Sequence, residues 1–131
     1  MSLTQLPPID FPPFFLVGSV RSGTTVLRLM LGHHPRICRC DEVEYVASAI
    51  AGRNDWPDVA EYVRQLPRHH DYRQSGFVPD TSMVFPDMVR DLFVQLRNAD
   101  GRELVGATVH NDFDELTRIW PNAKFIHLDR D

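Results

Sequence analysis

The chain has almost no lysine. Of its 14 basic residues only Lys124 is one, so contacts to an anion fall to arginines, backbone amides and hydroxyls. There is no excess of positive charge either. Against 18 acidic residues the formal net charge is −4, which argues against a general nucleic-acid binder, whose affinity rests on a basic surface. It does not exclude one anionic nucleotide in a local positive pocket. Cysteine is scarce. Cys38 and Cys40 are separated by a single residue, a spacing that disfavours a mutual disulfide and differs from the C-x-x-C of zinc and redox sites. They read as reduced structural thiols. No apolar run approaches the roughly 18 residues of a membrane span. The start, MSLTQLPPIDFPP, lacks the basic-then-apolar layout of a signal peptide. A soluble, cytoplasmic protein with no membrane or nucleic-acid partner is expected. Internal repeats and low-complexity tracts are also absent. At 131 residues, 43% hydrophobic, the chain has the material for one core and one domain, residues 1–131.

What is present is concentrated near the start. Phe14-Phe15-Leu16-Val17 reads as a buried strand and Gly18-Ser19-Val20-Arg21-Ser22-Gly23-Thr24-Thr25 as a glycine-bounded turn that opens a helix. Such a turn aims consecutive backbone N–H groups at one spot, with a helix N-terminus behind it, and both favour a phosphate. Gly18 and Gly23 have the spacing of the P-loop G-x-x-x-x-G-K-[ST], and Thr25 stands at its metal-binding hydroxyl. Thr24, however, occupies the place of the lysine that reaches the β- and γ-phosphates. The one cation in the loop is Arg21. The loop suits phosphate but is poorly built for ATP hydrolysis. The plainer alternative is a strand–turn–helix with an incidental Ser/Thr cap.

The rest of the pattern is α/β. A first helix is expected from Ser22–Thr24 to about Leu31, with Val26, Leu29 and Met30 at i, i+3, i+4 and Gly32 and Pro35 ending it. Residues 36–41 read as a connector. Glu44 to Ala51 reads as a helix stopped by Gly52. A further helix starts at Trp56-Pro57 with Val59, Tyr62, Val63 and Leu66 on one face. Residues 67–79 look like a loop, with Phe77-Val78 as a short strand. Thr81 or Ser82 is placed to cap a helix over 83–97, striped by Val84, Met88, Leu92 and Leu96. Asn98 to Gly101 reads as a turn. Glu103–Thr108 reads as a strand, Asp112–Trp120 as a helix, Pro121–Ala123 as a turn and Lys124–Leu128 as the last strand. Strands separated by helices imply a parallel sheet flanked by helices, an α/β layer fold. Ligands in such sheets sit beyond the strands' carboxyl ends. Three such ends carry polar chemistry: the loop 18–25, the segment 108–112, and Arg130-Asp131.

The segment FFLVGSVRSGTTVLRLMLGHHPRI resembles the 5′-phosphosulfate-binding segment of PAPS-dependent sulfotransferases, in which an R/K-S-G-T-T loop opens a helix and a His-Pro pair, here His34-Pro35, closes it. The end, WPNAKFIHLDRD, resembles the family's second signature, a hydrophobic strand running into an arginine. The resemblance is to the bacterial and tyrosylprotein-type branch. It implies a P-loop-like fold with PAPS as cofactor and 3′,5′-ADP as product. Arg21, Ser22, Gly23, Thr24 and Thr25 would then hold the 5′-phosphosulfate and Arg130 the 3′-phosphate. An ordinary reading of Arg130 is a surface residue at a strand end. Because the family continues beyond this arginine, the chain reads as the family's N-terminal, cofactor-binding half. The alternative is a short form that completes its sheet as a homo-oligomer.

Sulfuryl transfer needs a group to take the acceptor's proton. The resemblance offers two. Glu42 lies seven residues after Pro35, preceded by Arg39-Cys40, where the tyrosylprotein and many bacterial enzymes have a catalytic glutamate. Its ordinary reading is a solvated acid beside Asp41 and Glu44 at a helix N-terminus. His110 lies in Thr108-Val109-His110, where the cytosolic enzymes have Lys-Thr-His with histidine as base, and here the lysine is missing. Glu42 is the favoured of the two. The pairs His33-His34 and His69-His70 are adjacent in sequence and do not share a helix face, so no metal site is expected. His127 reads as a packed side chain of the last strand. Two other functions compete: a P-loop kinase or nucleotide hydrolase, weakened by Thr24 but supported by Asp129 and Asp131 after a strand, and a non-catalytic nucleotide-binding module. The acceptor, a small molecule or a peptide bearing a hydroxyl or amine, is not identified by these residues.

Overall fold

Four consecutive apolar residues with no polar face can only be satisfied by burial on both sides, which is the environment of a central parallel strand. The computed structural model describes residues 13–18, 26, 29–31, 33–38 and 40–127. In it β1 (Phe14–Val17) is the middle of a three-stranded sheet, between β2 (Gly106–Val109) and β3 (Lys124–His127). Both pairings are parallel, with Phe15 opposite Ala107 on one side and Phe125 on the other. The fold is thus α/β, a parallel sheet flanked by helices. On one face Phe15 meets Phe93 edge-on at 5.8 Å and lies against Trp120 and Phe125. This aromatic cluster joins the sheet to the long helix and anchors the core.

From Glu44 on, five helical segments lead to β2. They are α1 (Glu44–Ile50), α2 (Val59–Gln65), a 3₁₀ turn (Leu66–Arg68), α3 (His70–Ser75) and α4 (Phe85–Asp100). A second 3₁₀ segment, Phe113–Arg118, follows β2. α1 matches its expected span and buries Tyr45, Val46, Ala47 and Ile50. α2 starts two residues later than Trp56-Pro57 suggested, because Asp58 is the cap: its carboxylate accepts from the Glu61 N–H at 3.0 Å.

Several expectations are corrected. Residues 67–79 are not simply a loop, since α3 lies within them. α3 lacks an apolar stripe and is held by ring contacts of Tyr72 with Tyr45 and Phe77, which no local pattern announces. Phe77-Val78 is not a strand. Both backbone polar groups of Val78 pair with the Gln95 side-chain amide instead of a neighbouring strand. Neither Thr81 nor Ser82 caps α4. Ser82 is turned toward the Asp80 carboxylate, and the helix begins after Val84 with Pro86 in its first turn. Val84 consequently lies outside the buried stripe of Met88, Leu92 and Leu96. α4 also runs through Asn98 to Asp100 and stops only at Gly101, whose φ of 68° suits glycine. That delays β2, expected from Glu103, to Gly106. The helix expected over 112–120 is 3₁₀, opened by Asp112 in the left-handed region at φ 57°.

The connector 36–41 does more than connect. The connector and the residue after it bridge in parallel to β2 and the residues before it, at Ile37–Leu104 and Glu42–Thr108. Cys38 N–H donates to the Leu104 carbonyl at 2.8 Å, and Thr108 N–H to the Asp41 carbonyl at 2.9 Å. Val26 and residues 29–31 are helical as expected, but Val26, Leu29 and Met30 are 62, 59 and 64% exposed, so this stripe is not covered by the described residues. His127 is exposed with its ring 5.2 Å from that of Phe113, rather than packed into the core. The loop residues Arg21, Ser22, Gly23, Thr24 and Thr25, the start of the first helix, and Leu128 to Asp131 with Arg130 lie outside the described residues.

Candidate active site

Glu42 reaches its place through backbone pairing. Its neighbours are zipped to β2. Val43 N–H donates to the Thr108 carbonyl at 3.0 Å, and the Thr108 hydroxyl donates to the Cys40 carbonyl at 2.8 Å. Thr108 is buried, so this hydroxyl satisfies itself and the edge together. The other end of the connector is pinned by Arg102, which donates to the Ile37 carbonyl at 3.0 Å. The Cys38 thiol sits against the Arg102 carbonyl, and burial pushes it up to about 11. That keeps it protonated and unreactive at neutral pH, in line with a structural role.

His110 follows the last residue of β2. Its ring spans two elements. Nδ1 is 2.6 Å from the Gly18 carbonyl at the end of β1, and Nε2 is 3.4 Å from Glu42 Oε1. The two residues offered by the sequence as rival bases therefore share one contact. A carbonyl only accepts, so Nδ1 carries a proton and Nε2 is the nitrogen turned to Glu42. The Nε2–carboxyl contact is attractive only with one proton between the pair, either as imidazolium and carboxylate or as imidazole and carboxylic acid.

The surroundings favour the charged form. Burial pulls the His110 imidazole down, but the Gly18 carbonyl, then Glu42, then Glu44 outweigh it and hold the ring above its usual value. The His110 side chain is only 11% exposed and that of Glu42 30%. Of the two, the carboxylate is the one a second molecule can reach. Two more acids attend the pair. Glu44 accepts from the backbone N–H groups of His110 and Asn111. Asp71, on α3, is held above the usual carboxylate range by burial and then by the adjoining Glu42. Neither had a site role in the sequence. Glu44 reads there as a helix N-terminal acid, and Asp71 lies in a stretch without periodicity. Among the described residues, no group of three or more His, Cys, Asp and Glu is arranged to hold a metal ion, and no helix is long and apolar enough to cross a membrane.

The Glu42–His110 pair meets Gly18 just beyond β1, at the carboxyl edge of the parallel sheet, where ligands of such folds sit. Residues 12–131 match the sulfotransferase family. This chain belongs to that family. A relative in Aquifex aeolicus (strain VF5), described as an uncharacterized protein, is 29% identical over 125 residues, which cover 90% of this chain and 15% of the relative. The sulfotransferase match takes in both ends of the sheet and every residue of the pair. It agrees with the resemblance carried by the Arg21–Thr25 loop and by the segment ending at Arg130.

Proposed function

We propose that the chain binds 3′-phosphoadenylyl sulfate and forms the donor side of a sulfuryl-transfer site, with Glu42 as the base for an acceptor hydroxyl or amine. The observation that carries this reading is the contact of Glu42 with His110 at the strand end where the glycine-bounded loop begins. The donor set fits an anionic nucleotide. His110 is held toward its cationic form next to Gly18, and Arg21 is the charge of the loop that follows.

In this reading Arg21, the backbone of Ser22 and Gly23 and the hydroxyls of Thr24 and Thr25 hold the 5′-phosphosulfate, and Arg130 the 3′-phosphate. PAPS, when bound, supplies the activated sulfuryl group and leaves as 3′,5′-ADP. Glu42 accepts the acceptor's proton as the new S–O or S–N bond forms. His110 stays tied to Gly18, orients the Glu42 carboxylate and places positive charge beside the phosphate that departs with the broken S–O bond. The exposure of Glu42 and the burial of His110 support the carboxylate as the group that meets the acceptor.

Calorimetry with 3′,5′-ADP tests the assignment. Arg21→Ala is expected to remove on the order of 2 kcal/mol of binding, the scale of a charge-assisted phosphate contact. Glu42→Ala is expected to change binding little, because its side chain faces the acceptor. A larger loss from Glu42→Ala would overturn the division of roles.

A further inference from the structure

The backbone leaves the sheet after Val109. The N–H groups of His110 and Asn111 then turn to a side chain, and Asp112 follows at φ 57°. Two successive amides at a strand end form a small anion-binding concavity. Here an internal anion fills it. One oxygen of Glu44, Oε1, accepts from both N–H groups, with the Asn111 contact at 3.1 Å. Glu44 is the first residue of α1, two residues beyond Glu42. The contact therefore ties the N-terminus of α1 to the residue that carries the imidazole, across 66 residues of sequence.

We propose that Glu44 is a positioning residue: its carboxylate fills the amide pair after β2 and so fixes the His110 ring between the Gly18 carbonyl and Glu42. The catalytic meaning of this rests on the reading of Glu42 and His110 given above, but the anchoring itself does not. Without Glu44 the His110 and Asn111 amides lose the acceptor they share among the described residues, and the turn that carries the ring is less constrained. The ring would then lose either the Gly18 or the Glu42 contact, because both are needed to define one orientation. Among the described residues, the charged groups facing His110 are Glu42, just after the connector, and Glu44 from α1, with Asp71 of α3 beside Glu42.

Amide and imidazole NMR on the 131-residue chain tests this with no nucleotide present. In Glu44→Ala the amide protons of His110 and Asn111 are expected to exchange at least about tenfold faster, the scale of one lost charge-assisted bond. Glu44→Gln retains an acceptor oxygen of the same reach, so exchange should stay near wild type. Its lost charge should still lower the His110 titration midpoint, an effect a purely mechanical prop would not produce. If Glu44→Ala fails to fold, the Gln variant carries the test through that midpoint alone. Unchanged exchange in a folded Ala variant, or an unchanged midpoint in the Gln variant, overturns the proposal. A chain that fails to bind 3′,5′-ADP while showing these changes would refute the functional reading and leave the anchoring standing.

Discussion

Glu42 and His110 look like alternatives in the sequence because each matches a different precedent for a base. Nothing local joins them, as they are 68 positions apart. The contact forms because the backbone around Glu42 pairs with β2 while His110 directly follows that same strand, so strand register, not side-chain pattern, brings them together. If Glu42 is the base proposed above, Glu42→Gln is expected to lower sulfuryl-transfer turnover by at least about a hundredfold, the usual scale for a lost general base, with cofactor affinity nearly intact. Glutamine keeps the size and reach of glutamate but takes no proton at neutral pH. His110→Asn should have the smaller effect, because it removes the partner and its charge while leaving the base. Transfer rates from PAPS to a responsive acceptor decide between them. Loss of transfer in His110→Asn with Glu42→Gln tolerated would make the imidazole the base.

Among the elements, those with a complete local signal were legible. The apolar run of β1, the Gly52 stop after α1 and the Met88–Leu92–Leu96 stripe of α4 each contain their own reason. α3 was not legible because Tyr72 gains its partners, Tyr45 and Phe77, only in the folded chain. The pairing of the connector with β2 was likewise hidden, being made of backbone groups that every sequence possesses. The end of α4 shows how one residue overrides a plausible turn. Asn98-Ala99-Asp100 could turn, yet the left-handed conformation needed to leave the helix is taken by Gly101, whose N–H caps the Arg97 carbonyl at 2.9 Å. Gly101→Ala is expected to destabilise the fold by about 1 kcal/mol, since a Cβ is disfavoured at that φ. No atom lies within 4 Å of the added Cβ, so the cost should be conformational only. Denaturant unfolding with an unchanged m-value would agree. A loss above about 3 kcal/mol would point to a packing role for this position.

For the molecule as a whole, the order β2–β1–β3 places two polar strand ends next to each other, and the imidazole of one bonds the backbone of the other. That arrangement makes His110 a reporter for the loop that follows Gly18. In the function proposed above, this loop holds a 3′-phosphorylated nucleotide beside the Glu42–His110 pair. The missing loop lysine argues against ATP, and the arginine after β3 suits a second phosphate. The direct measurement is the His110 ring signal during titration with 3′,5′-ADP, 5′-AMP and ATP, with and without Mg²⁺. A saturable shift is expected that half-completes at the lowest concentration for 3′,5′-ADP and is indifferent to Mg²⁺. Tighter, Mg²⁺-dependent binding of ATP, or saturation by 3′,5′-ADP with no movement of the His110 signal, would contradict it.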